Sequence, residues 1–174
     1  AVALLGMACM AAIRFEAQPP VLNAAGEVAR GRPLGELMRQ PAFVVAVLGA
    51  ALGYGVMNLL MAATPLAMQV CGFDFSASAL VLEWHVIGMF APGFVTGHLI
   101  KRFGVLPIMG VGVLLNFACV AVALMGVELH HFGIALALLG VGWNFLFTGS
   151  TTLALSAYSR EEKDRAQAAI NFCV

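Results

Sequence analysis

Long apolar runs separated by short breaks dominate this chain. A first run of about 13 residues is followed, from Pro41 onward, by runs of about 30, 25, 23 and 27. About 20 apolar residues cross a bilayer as α-helix. Charge points the same way. Only 10% of residues are charged and 61% are apolar, against about 25% and 45–50% in soluble domains. Too few charges remain to coat a water-soluble body of this size. The fold class implied is all-α, a polytopic transmembrane helical bundle. Spans are expected at about 41–71, 76–100, 105–127 and 132–158, with a further helix starting at 160. Within the first of these, Pro65 is expected to kink the helix.

The start of the chain reads differently. Residues 1–14 are too short an apolar run to span, and Arg14 follows that run, whereas a signal peptide carries its positive charge in front. A truncated transmembrane helix is the expected reading. Residues 15–40 then form a polar linker holding Pro19, Pro20, Gly26, Gly31, Pro33 and Gly35. The whole is expected to be a fragment of a longer protein.

Nine basic residues balance nine acidic ones, so net charge gives nucleic acid nothing to bind. The distribution is informative instead. Arg14 borders the linker and Arg30, Arg32 and Arg39 lie in it, Lys101 and Arg102 fall in the break after the second span, and Arg160, Lys163 and Arg165 in the break after the fourth. The alternate turns, 72–75 and 128–131, hold no Lys or Arg. If every span crosses, all nine basic residues share one side, which the positive-inside rule makes cytoplasmic. A multi-pass protein of the plasma (cell inner) membrane is expected.

Cys9, Cys71, Cys119 and Cys173 show no paired spacing and read as small packing residues. Glu128, His130 and His131 could ligate a metal, but an outer turn with adjacent histidines reads as polar loop. No metal site and no cofactor are expected. No nucleophile-elbow, zinc-protease or phosphate-loop motif is present, and no enzymatic activity is expected.

Polar side chains inside a bilayer are costly, so each is a candidate site. In the first long span Tyr54, Asn58, Met61, Pro65 and Gln69 recur every three or four residues, on one helical stripe. In the fourth, Asn144, Thr148 and Thr152 do the same, beside Trp143, Phe147 and Thr151. Two polar stripes suggest a shared solute-binding cavity. Tyr54, Asn58, Trp143, Asn144 and Thr148 are the substrate-binding candidates. For Asn58 and Asn144, hydrogen bonding between packed helices is an equal alternative. The threonines fit bonding to their own helix backbone better. Glu83 is an acid within the apolar runs and the candidate for proton coupling, with His85 two residues on; an interfacial cluster around Trp84 is the competing reading. Glycine pairs at Gly49/Gly53 and Gly93/Gly97 have the spacing that permits close helix contact. Ser159 and Glu162 have capping-box spacing, and Glu161 and Arg165 are spaced to pair on one helix face.

The break Gly97-His98-Leu99-Ile100-Lys101-Arg102-Phe103-Gly104 resembles the Gly-x-Leu-x-Asp-Arg-x-Gly-Arg-Lys signature of the major facilitator superfamily. Gly97, Leu99, Arg102 and Gly104 match, while Lys101 stands where Asp is usual and Val105 and Leu106 replace the trailing basic residues. That departure resembles the weaker second copy, between the eighth and ninth helices. The resemblance implies that the chain holds the end of helix six, the central loop, helices seven to ten and the start of helix eleven. It implies a secondary transporter that rocks two halves around a midplane site, with helices seven and ten lining the cavity. The expected function is transport of a small organic solute by alternating access, with proton coupling left open. The expected partners are that solute, the lipid bilayer and the missing N-terminal half. A polytopic membrane enzyme and a non-transporting membrane subunit are the alternatives.

Overall fold

The structure is a computed structural model that describes residues 31–173. The expected helix end at 1–14 and the linker up to residue 30 lie outside the described residues. The elements are α1 (Leu34–Leu37), α2 (Pro41–Val70), α3 (Phe75–Phe90), α4 (Gly93–Phe103), α5 (Val105–Met125), α6 (Leu129–Ala157), a 3-10 turn (Arg160–Glu162) and α7 (Lys163–Cys173). No strand occurs among the described residues. Four stretches are long and apolar enough to cross a membrane: α2, α3 with α4, α5 and α6. The all-α transmembrane bundle expected from the sequence is the fold observed.

Local chemistry accounts for the helix ends. Pro41 opens α2 at the first turn, where its missing N–H costs nothing. The helix closes in a Schellman motif: Gly72 has φ +85°, its N–H donates to Gln69 O, and the Phe73 N–H donates to Met68 O. Asp74 caps α3, accepting from the Ala77 N–H at 2.9 Å and the Ser76 hydroxyl at 2.8 Å. Those bonds, the backbone one foremost, hold its carboxyl below the usual range.

Two prolines behave in opposite ways. The α2 helix runs on through Pro65. Beside it the Thr64 hydroxyl donates to Leu60 O at 2.7 Å, supplying a carbonyl on the turn that the proline disturbs. At Pro92 the helix does break: α3 ends at Phe90 and α4 begins at Gly93. The stretch 76–100, expected as one span, is two helices in series.

The α6 helix is the hub, with α5, α3 and α2 packed along it. Glycines set how close they come. A Cβ on Gly140 would lie 2.5 Å from His85 O, and one on Gly88 would lie 2.8 Å from Ala137 O. A Cβ on Gly112 would lie 2.9 Å from Gly142 O. Backbone therefore meets backbone between α3 and α6 and between α5 and α6, which only small residues permit. Gly49 and Gly53 of α2 lie against Ser150 and Leu146. Gly97, expected as half of a close-packing pair, has open space around it, and Gly93 touches only the Asn144 amide. The glycines that bring helices together are ones that face α6, a property of the fold and not of their spacing.

Candidate functional site

The break at Ala91–Pro92 carries a buried, hydrogen-bonded polar cluster within the spans. Proline supplies no N–H to the preceding turn, so carbonyls there need other donors. Asn144 provides one: its Nδ2 donates to Met89 O at 2.7 Å. Its Oδ1 accepts from the Thr96 hydroxyl at 2.7 Å, and that hydroxyl also lies 2.8 Å from Pro92 O. Asn144 and Thr96 are both buried. The amide thus bridges both sides of the break to α6. Thr96 and the Met89 carbonyl had no sequence signal of their own; Pro92-Gly93 was the signal for the break that needs them.

Asn144 and Trp143 consequently face different ways. Gly142 and Leu146 meet α5, Ser150 meets α2, and Asn144 meets the break. Helical geometry puts Trp143 and Phe147 between the α2 face and the α3–α4 face. Their rings stack at 4.9 Å between centroids with an 11° interplanar angle. The Trp143 Nε1 is buried and has no hydrogen-bond partner. Below this pair lies a cavity of about 180 Å³ lined by Phe147, Thr151, Tyr158, Gln167 and Asn171 among others. Trp143, Phe147 and Thr151 therefore form a half-buried stripe of α6, one position round from Asn144.

The other candidates lie as follows. Tyr54 is half-buried; Asn58 is exposed, and its Nδ2 donates to Tyr54 O at 3.1 Å within α2. Thr148 is half-buried, and its carbonyl accepts from the Thr151 and Thr152 hydroxyls. Pro65 and Gln69, at the far end of the α2 stripe, line a cavity of about 470 Å³ with Ser78 and Leu82. Glu83 and Trp84 are exposed on α3. His85, two residues on, is fully buried, with Nδ1 2.9 Å from Leu136 O and Nε2 without a partner. The structure does not bring Glu83 and His85 together: one is exposed and the other sealed between α3 and α6. Asn116 of α5 bonds its own helix at Gly112 O, while Leu114 and Phe117 beside it are exposed.

The basic break forms the α4–α5 turn. Gly104 has φ +92° and ψ 163°, a region essentially confined to glycine. That glycine is a geometric requirement of the turn. Arg102 lies over the Phe103 ring at 5.3 Å and is otherwise exposed, as are Gly97 and Lys101, with Leu99 half-buried.

One polar assembly at the basic end escaped the sequence reading. Glu162 is 2% exposed. Its two oxygens accept from Arg32 Nε and Nη2 at 2.7 and 2.8 Å, and from the Arg32 and Ser159 N–H groups at 2.7 and 2.9 Å. The Ser159–Glu162 capping box forms as spaced, but Glu162 also anchors the segment before α2. Glu161 turns to the Ser159 hydroxyl, which lowers its carboxyl from the usual range, and makes no ion pair with Arg165.

Similarity to known proteins agrees with this architecture. The sequence profile described as Major Facilitator Superfamily matches residues 1–174. The riboflavin transporter RfnT of Brucella anthropi is 39% identical over 142 residues, 82% of this chain and 36% of that protein. An uncharacterized MFS-type transporter, YdeG of Bacillus subtilis, is 31% identical over 68% of this chain and 28% of that protein. The chain therefore aligns with only about a third of the length of these relatives. No solved structure matches it. Four membrane-length helices gathered on α6, and a profile match along the full chain, show that this chain belongs to the Major Facilitator Superfamily.

Proposed function

We propose that the chain is the C-terminal half of a secondary transporter whose solute is a planar heteroaromatic molecule of the flavin class. The observation that carries the solute class is the Trp143–Phe147 stack with its unpartnered indole N–H. Two parallel rings offer a third ring a stacking surface, and offset stacking adds about 0.5–1.5 kcal/mol beyond area burial. The indole N–H offers a donor to a ring carbonyl. Similarity to a riboflavin transporter supports the same class.

In this reading Tyr54 and Asn58 on α2 and Trp143 on α6 face the solute. Thr148 borders it, and Asn144 holds the α3–α4 break behind it. The remaining walls come from the other half of the protein, and the halves alternate access by rocking. Lys101 in place of the signature Asp supports the C-terminal placement. The basic ends face the cytoplasm of a cell with this protein in its inner membrane; the Arg32–Glu162 contact supports the linker and the post-α6 turn sharing one side. Glu83, the acid within the described spans, carries the proton.

The test is uptake of radiolabelled riboflavin into proteoliposomes holding the full-length protein. Saturable uptake that falls at least tenfold in Trp143→Ala and survives in Trp143→Phe is the expected result. Uptake of unrelated solutes with no competition by riboflavin sinks the flavin assignment.

A further inference from the structure

The turn between α5 and α6 gathers Glu128, His130 and His131. Among the described residues this is the group of three ligating side chains that converges: one ligand atom from each lies within 4.8 Å of the others. The Glu128 Oε2 and His130 Nδ1 atoms are 3.2 Å apart. Zinc bonds nitrogen and oxygen at ~2.0–2.1 Å, so two tetrahedral ligands stand ~3.3–3.4 Å apart. The observed separation is already that of a chelating pair.

Three further features favour a ligand over a bare polar loop. Glu128 is the N-cap residue of α6, yet its side chain makes no capping bond, and its carboxylate turns to His130 instead. Its backbone carbonyl instead accepts from the His131 N–H at 2.9 Å and the Phe132 N–H at 3.4 Å, which sets the turn carrying all three residues. The His131 ring lies against Gly126, where a Cβ would come within 2.7 Å of its Cε1. Burial there leaves His131 Nδ1 without any hydrogen-bond partner. The two imidazoles stand 4.1 Å apart between centroids, close enough for one nitrogen of each to reach a single ion.

We propose that Glu128, His130 and His131 form a Zn²⁺ site on the α5–α6 turn. Two imidazole nitrogens and one carboxylate oxygen make a borderline donor set that suits Zn²⁺, whereas Mg²⁺ and Ca²⁺ require mostly oxygen. The fourth position opens to solvent, since Glu128 and His130 are exposed. The positive end of the α6 dipole opposes a cation here, so the carboxylate is indispensable to the set. The bound ion would pin the N-cap residue of α6 to the first turn of that helix. Nothing in the solute site takes part, so this inference stands independently of the transport reading.

The experiment is calorimetric titration of the tag-free, full-length protein in detergent with Zn²⁺, alongside Co²⁺ absorption spectroscopy. One equivalent bound saturably is expected, with the visible bands of tetrahedral Co²⁺ displaced by Zn²⁺. His130→Gln with His131→Gln should abolish both signals. Glu128→Gln should weaken binding at least about tenfold. Thermal unfolding of the metal-free variants, expected to match the metal-free parent, controls for folding. Absence of saturable binding, or stoichiometric binding unchanged in the double histidine variant, overturns the proposal.

Discussion

Arg32 and Glu162, 130 residues apart in sequence, meet in two parallel N–H···O bonds of 2.7 and 2.8 Å. The same arginine donates to Ala157 O at 3.3 Å, at the end of α6. Beneath the pair, Leu37, Phe43, Val47, Ala157 and Ala166 form a buried apolar cluster. The segment entering α2 and the turn leaving α6 are thereby clamped together.

Breaking that clamp should destabilise the basic end. Arg32→Ala strips a buried carboxylate of its charge partner. The Arg32 side chain is 42% exposed, so solvent screening keeps the expected loss modest. Thermal unfolding in detergent should show Arg32→Ala less stable than Arg32→Lys, because lysine keeps the charge but not the fork. Equal stability of all three proteins would show that the pair contributes nothing.

The clamp also sets a pH dependence. Hydrogen bonds from Arg32, first of all, hold the Glu162 carboxyl at about 2 against an ordinary 4.5. A depressed carboxylate binds its proton more weakly in the folded state, so its contribution is full above 4.5 and is lost as pH falls through about 2. Unfolding temperatures measured down through this window should drop more for the parent than for Glu162→Gln. Parallel curves would contradict the assignment.

Asn144 and Thr96 should be coupled. A double-mutant cycle of Asn144→Ala and Thr96→Val is expected to give an interaction energy of about 0.6 kcal/mol, and no more than about 1.7. Asn144→Ala alone should cost more than Thr96→Val, since it also orphans Met89 O beside the break. Strict additivity would mean the hydrogen bond seen between them contributes no stability.

The α3–α6 contact should tolerate no added methyl group. Gly140→Ala places a Cβ against the backbone of His85 and Met89, and overpacking of this kind costs about 1–3 kcal/mol. Gly133→Ala, on the same helix with nothing within 4 Å, should be neutral or slightly stabilising. Comparing the two by thermal unfolding separates packing from helix propensity. A neutral Gly140→Ala would show that α3 and α6 are free to move apart.

Glu83 offers the last test. If it carries the proton, Glu83→Gln should abolish uptake driven by a pH gradient while leaving solute exchange across equal pH intact. Unchanged gradient-driven uptake would remove Glu83 from the mechanism and leave it an interfacial residue beside Trp84.

By itself, the sequence determined the membrane class, the all-α fold and the family, because each follows from local quantities. Apolar run length meets bilayer thickness, and Gly104 must be glycine for the turn it makes. Tertiary structure decided which polar groups point inward. On α6 a single residue is a turn of about 100°, so Asn144 and Trp143, adjacent in sequence, occupy a buried face and a half-buried one. Which face is packed depends on where α3 breaks and how closely Gly88 and Gly140 let it approach. Likewise, the capping box of Glu162 was legible from a spacing of three residues, whereas its union with Arg32 was not. Local spacing shows what a side chain is able to bond, and only the fold brings its distant partner within reach.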